Sequence, residues 1–420
     1  MPLAVTGEFR VPSRASGAAD AGARRRGVGL ALAGGVMEGG FYEIGVLCAL
    51  EEAIEGLDCT RATAYVGVSA GAVVSALLAN GLSPHRIAES AVSRGADREL
   101  DFDPQILLTP AFGEYVRRAA RIPGLVGRWI RRRALNPFTV SFRTIADLSE
   151  LAPLGLFDNR PLERWLARTF ATGGRTNDFR ALRAVLRVIA VRLDTSELVA
   201  FGEPGMDHVP ISRAVQASIS LPGLYRPTEV DGEHYIDGVA RRTLSASLAL
   251  DEGVDILFCV NPIVPVDLRA GRAAGGPPRR PLAAQGLPAV LSQTLRTMVH
   301  SRMSTAFQRY EHLYPGADLV LIEPSMDDDR MFFSNIFSVA NRREVLQHAY
   351  TSTRRHLRER ADQLEPVLAR HGLRLRREAL ADETRSLFAH LPDRSPRRDE
   401  LDPLRDALEK LDAALARLSA

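Results

Sequence analysis

Apolar and polar positions change rhythm several times along the chain, and each change marks an element. Val28-Gly29-Leu30-Ala31-Leu32 is a short run of apolar and small residues that predicts a buried strand, with order beginning at Gly27. The glycine-rich Gly34-Gly35-Val36-Met37-Glu38-Gly39-Gly40 predicts a loop. Phe41 to Glu55 then carries Ile44, Leu47, Cys48, Leu50 and Ile54 at helical spacing. Thr63 to Val68 predicts a second strand and Ala70 to Asn80 a second helix, with Gly81 where a helix stop is expected. Strand, turn and helix repeated in this way predict an α/β fold of three layers, helices on both faces of a mainly parallel sheet. Strand character returns at 185–193, 198–201, 255–260 and 318–322, and from about Arg342 the chain reads as helical and highly charged, broken by Pro392 and Pro396. The expected organisation is a flexible tail over 1–26, a main domain over 27–350, and a helical extension over 351–420. Within the main domain, 100–150 reads as a basic insert and 271–286, rich in Gly, Pro, Ala and Arg, as a mobile linker.

Composition narrows this picture only slightly. With 45% hydrophobic and 25% charged residues in 420, the chain is an ordinary globular one. A formal charge of +3 does not mark a polyanion binder, and Lys410 is the only lysine among the cations. Cys48, Cys59 and Cys259 are too few and too scattered for a disulfide framework, so a reducing, cytoplasmic setting is expected. No secretory leader is expected from the N-terminal residues, and no apolar run reaches the roughly 18 residues a membrane span needs. The nine histidines show no HxxxH or HExxH pairing, so no metal is expected.

The sharpest chemical signal is Gly67-Val68-Ser69-Ala70-Gly71, a G-x-S-x-G between an expected strand and an expected helix. A serine on so tight a turn needs small neighbours, and the helix that follows offers its positive end to a developing oxyanion. Upstream, Gly34-Gly35 after a strand lets backbone N–H groups approach a ligand. The spacing is wrong for a dinucleotide fingerprint, and no Gly-Lys-Ser/Thr follows as a phosphate-binding loop requires. A third element, Asp237-Gly238, closes a strand that follows the hairpin turn at Asp231-Gly232. An Asp there can take a serine proton directly once burial raises its pKa from the usual value of about 3.9. Each motif alone has a bland reading as a Gly/Ser or Asp-Gly turn.

In this order and context the three segments resemble the patatin-like phospholipases, over roughly residues 27–265. Phe41-Tyr42-Glu43-Ile44-Gly45-Val46-Leu47 resembles that family's first helix. Ala214 through Pro227, including Ser218-Ile219-Ser220-Leu221-Pro222-Gly223, resembles its segment ahead of the base. The resemblance implies a patatin-like α/β/α sandwich, a Ser69–Asp237 dyad without histidine, and an oxyanion hole from Gly34, Gly35, Val36 and Ala70. Gly39, Gly40, Gly67, Gly71 and Gly238 would complete the motifs. It implies a lipid ester, phospholipid or related, as substrate and no cofactor. Three positions depart from the family pattern: Val36 stands for a third glycine, Glu38 lies near an expected Arg, and Val239 replaces the second glycine after the Asp.

Two rival functions remain open on the sequence: a triad esterase using His234 or His300, and a non-catalytic lipid-binding protein of the same fold. The stretch Tyr115 to Phe138 mixes seven arginines with Ile122, Leu125, Val126, Trp129 and Ile130. It reads either as a peripheral membrane-surface contact or as a solvated helical pair over the site. No nucleic-acid motif accompanies it. Met331-Phe332-Phe333 and Ile336-Phe337 are read as an acyl-pocket wall or as core.

Overall fold

The computed structural model describes residues 27–93, 99–120, 124, 153–269, 280–328 and 341–390. The tail expected over 1–26 and the Met331–Phe337 cluster lie outside these residues. So do most of the basic stretch beyond Ala120 and the linker over 271–279.

Eight strands form the main sheet. β1 (Val28–Leu32) lies between β3 (Ala64–Val68) and β10 (Ile256–Val260), with β11 (Asp318–Ile322) outside β10, all parallel. β5 (Val185–Arg192) joins β3 in parallel and then carries the antiparallel edge, β6 (Leu198–Phe201) and the hairpin of β8 (Thr228–Val230) with β9 (Glu233–Asp237). The sheet is therefore mixed and mostly parallel. The parallel strands are buried on both faces, which is why they read as unbroken apolar runs instead of alternating ones: every residue of β3, β10 and β11 is buried.

One face is covered by α1 (Val36–Ala53), α2 (Ala70–Ala79), α3 (Pro84–Val92), α5 (Arg160–Phe170) and α6 (Ile211–Ser218), whose Leu47, Leu50, Leu78, Leu166 and Val215 are fully buried in one core cluster. The short α4 (Phe112–Ala119) precedes β4 (Gly155–Phe157), which pairs with β7 (Gly223–Tyr225) beside this layer. The other face is covered by α7 (Ala246–Asp251) and the 27-residue α8 (Leu287–Leu313), through Ala249, Leu250, Val299, Met303 and Phe307. Each layer thus closes over one side of the apolar sheet, and removing that area from water is what drives the assembly.

Past the last strand, α9 (Arg342–Glu359) and α10 (Ala361–Arg370) dock on the α1 side, adding Leu346, Tyr350 and Leu364 to its core. Arg374–Leu375 then pairs antiparallel with β2 (Ile54–Glu55), and Leu387 and Phe388 are buried too. The first part of the region expected as a helical extension is therefore built into the main core. Asp318 at the start of β11 anchors this junction, accepting from Arg370 and bonded to His371.

One local expectation is corrected. The glycine-rich stretch after β1 is not a loop as far as Gly40; α1 begins at Val36 and runs through Gly39 and Gly40. Gly39 donates back to the Gly35 carbonyl at 2.8 Å, and a Cβ on Gly39 would sit 2.9 Å from the Pro262 ring. The glycines serve close helix packing there, and helix hydrogen bonding outweighs their poor intrinsic propensity.

Candidate active site

The register of the sheet brings Ser69 and Asp237 together. Val68 pairs with Ile189 across the β3–β5 ladder, and Ala190, the next residue of β5, pairs with Asp237 on β9. Ser69, the residue after Val68, therefore reaches the same rung of β5 as Asp237. The Ser69 hydroxyl donates to Asp237 Oδ2 at 2.6 Å, joining residues 168 positions apart. Both are buried, at 6% and 1% exposure.

Ser69 sits between β3 and α2 with φ 53° and ψ −120°, in the left-handed half of backbone space that non-glycine residues avoid. Such a conformation costs on the order of 1–3 kcal/mol and holds only where the surroundings over-determine it. Here they do. The Ser69 N–H donates to Ser218 Oγ at 2.8 Å, and Ser218 in turn donates to the Ile189 carbonyl at 2.5 Å. The flanking glycines are steric requirements: a Cβ on Gly67 would lie 2.5 Å from Ala72 Cα, and one on Gly71 2.4 Å from the Leu32 carbonyl oxygen.

Asp237 is held at both oxygens. While Oδ2 accepts from Ser69, Oδ1 accepts the Val239 N–H at 2.9 Å, and the Asp237 N–H donates to the Ser220 carbonyl at 3.0 Å. Ser220 belongs to a buried polar network: its hydroxyl donates to the Gln216 carbonyl and accepts from Asn159, whose own carbonyl accepts from Gln216. Burial pushes the Asp237 carboxyl up to about 7, against the pull of the Ser69 and Val239 hydrogen bonds. Val239 acts through its backbone, so the side chain that departs from the family pattern costs the site no donor.

The residues expected around an oxyanion are not alike in their backbone surroundings. The Gly34 N–H donates to the Thr243 carbonyl at 3.3 Å instead of facing a ligand. Gly34 is needed for close approach: a Cβ there would lie 2.2 Å from Val239 Cγ2 and 3.1 Å from Ser69 Cβ. Because α1 starts at Val36 and α2 at Ala70, the N–H groups of those two residues are first-turn amides with no intrahelical acceptor. Two helix N-termini therefore converge on the Ser69 turn, adding partial positive charge. Glu38 is buried, and burial lifts its carboxyl to about 7 while Arg296 pulls it back. Near neutral pH its negative charge is therefore only partly present.

Beside Ser69 and Asp237 lies an apolar cavity that sequence reasoning did not find. It runs from Met37, Phe41 and Ala70 past Val73, Val74 and Leu77 to Ile87 and Ala91, and is closed by Leu107, Trp165, Leu221, Leu224 and Tyr225. Its lining is almost wholly hydrocarbon, with Ser69 and Asp237 on its wall. Ser218, Ser220 and Asn159 were also missed as site residues; the only signal was that both serines fall in the stretch ahead of the Asp. His234 is exposed on β9, and the Ser69 hydroxyl is donated to the carboxylate, not to a ring nitrogen. Among the described residues no group of three or more His, Cys, Asp or Glu is placed to hold a metal ion.

Fold and site together define an α/β protein with a serine on a strained strand-to-helix turn, touching a buried carboxylate beside an apolar cavity. The patatin-like phospholipase family matches residues 30–250, slightly more than half of the chain. The chain belongs to that family, one of lipid acyl hydrolases. Among solved structures it is similar to VipD from Legionella pneumophila, at 17% identity and a TM-score of 0.30, over 60% of this chain and 52% of that one. It thus spans about half the length of that relative.

Proposed function

We propose that this protein hydrolyses acyl esters of phospholipids or related lipids through a Ser69–Asp237 dyad. The observation that carries the reading is the 2.6 Å hydrogen bond from a strained serine to a buried carboxylate on the wall of an apolar cavity. In the first step Asp237 Oδ2 takes the hydroxyl proton as Ser69 Oγ attacks the ester carbonyl. The carbonyl oxygen becomes an anion, received by the N–H groups of Val36 and Ala70, with Gly35 beside them. Losing one such donor costs on the order of 100- to 1,000-fold in rate. Collapse expels the alcohol, which takes the proton back from Asp237 and leaves an acyl-serine. Water then attacks with Asp237 again as base, releasing the fatty acid and restoring the hydroxyl. A carboxyl lifted to about 7 is a far better base for this task than an ordinary aspartate. The cavity is the acyl chain's place, excluding water from the reacting centre.

A fluorophosphonate probe tests the assignment. Wild type, His234→Ala and His300→Ala should label and cleave a lipid ester, whereas Ser69→Ala should do neither. Labelling lost with either histidine would establish a triad in place of the dyad. A wild type that never labels would favour a non-catalytic lipid-binding protein of the same fold.

A further inference from the structure

Helix α8 has two apolar faces, and the core accounts for only one. Val299, Met303, Phe307 and Tyr310 point inward and are buried. On the opposite side Leu287, Val290, Leu291, Leu295 and Met298, at spacings of three and four, are 41–69% exposed. The same outer face continues into Arg302 and Arg309, both exposed. Five large apolar side chains exposed together along one helix face form the kind of contiguous patch that marks an interaction site. Its charge setting selects the partner. From Asp267 to Glu311 the chain carries no acidic residue between them and seven arginines, of which Arg269, Arg280, Arg302 and Arg309 are exposed.

Position adds a second reason. The inner side of α8 is tied to the loops leaving β9 and β10. Gln293 bonds both backbone groups of Val266 and Arg296 donates to the Val264 carbonyl, while Arg302, at the margin of the outer face, also reaches the carbonyl of Ala240, three residues past Asp237. Those loops leave the sheet at the edge where Ser69 stands. The stripe therefore lies at the active-site end of the molecule. No described helix is long and apolar enough to cross a membrane, and α8 has its other face in the core, so it would lie in the plane of an interface.

We propose that the outer face of α8 seats the protein on an anionic lipid bilayer, leucines and Met298 among the acyl chains and arginines against headgroup phosphates. Seating it there does not require the dyad to be catalytic. The proposal joins the proposed function in one respect only, that a bilayer would present its lipids at the same end.

The test is co-sedimentation of the full chain, in a Ser69→Ala background, with vesicles of phosphatidylcholine alone or mixed equally with phosphatidylglycerol. Binding to the mixed vesicles, weakened by salt, is expected. Leu291→Ser with Leu295→Ser should lower that partitioning about tenfold while leaving hydrolysis of a water-soluble short-chain ester by the Ser69 enzyme unchanged. Leu295→Cys carrying an environment-sensitive dye should shift to the blue on the mixed vesicles, and the three native cysteines, all buried, leave the label specific. Equal binding to neutral vesicles, an unchanged double variant, or a dye that does not shift would overturn the proposal. So would a dimer that the double variant splits, meaning a second copy covers the stripe. A marked loss of thermal stability in the double variant would assign the stripe to the chain's own packing. Binding without any esterase activity would instead remove the proposed function and leave this one standing.

Discussion

Replacing Asp237 by Asn should abolish the chemistry and strengthen the fold. The amide fits the same space: its oxygen can accept the Val239 N–H, and its nitrogen can donate to Ser69 Oγ, which then turns its own proton elsewhere. What disappears is the ionised form. Raising the carboxyl from 3.8 to about 7 means that the native state carries about 4 kcal/mol for ionising it at alkaline pH, at roughly 1.4 kcal/mol per tenfold change. The sign follows from proton counting. Between about pH 4 and 7 the folded protein keeps a proton that the unfolded chain has released, so wild-type stability falls as pH rises through that window. Asp237→Asn has no such slope. Urea unfolding at pH 8 should therefore show the variant more stable by up to about 4 kcal/mol, and the gap should close near pH 4. In the same samples kcat/KM for a lipid ester should fall on the order of 100- to 10,000-fold, the usual worth of a general base. Wild-type kcat/KM should lose its activity on the acid side with a midpoint near 7. A variant no more stable at pH 8, or a wild-type profile flat from pH 5 to 8, would refute the account of a desolvated base.

Two further outcomes follow from the geometry. Ser218→Ala leaves the Ser69 N–H and the Ile189 carbonyl without their shared partner, so denaturant unfolding should show a loss of about 1–3 kcal/mol, and kcat should fall more than KM rises as the strained turn relaxes. Ala91→Phe takes volume from the cavity that Ala91 lines; on a series of p-nitrophenyl esters it should cut activity on long acyl chains about tenfold or more and shift the preference towards shorter ones.

Legibility followed locality. The parallel strands announced themselves because a strand buried on both faces is a continuous apolar run, and Val28–Leu32 and Asp318–Ile322 were read at their observed limits, as was the antiparallel Leu198–Phe201. The Ser69 turn was readable because its steric needs are met within five consecutive residues. Asp237 was weaker, an Asp-Gly at a strand end, and gained meaning only from the ordered set of motifs. The start of α1 at Val36 was hidden by glycines, whose low helix propensity conceals a packing requirement set by Pro262, far away in the sequence. The turned-away Gly34 N–H depends on Thr243, and the cavity on side chains from α1, α2, α3 and α5, so neither leaves a mark on any single stretch. Ser218 looked like one small residue among many, because its role exists only once α6 lies against the turn.

The placement of the two reacting groups on different parts of the sheet also bears on synthesis. The serine comes with the early parallel strands, while the carboxylate waits on a late edge hairpin that must pair with β5. A chain still emerging from the ribosome, with β3 and α2 already paired but β9 undelivered, holds a hydroxyl with nothing to take its proton. Under the proposed dyad, esterolysis would begin only once that hairpin has closed on β5.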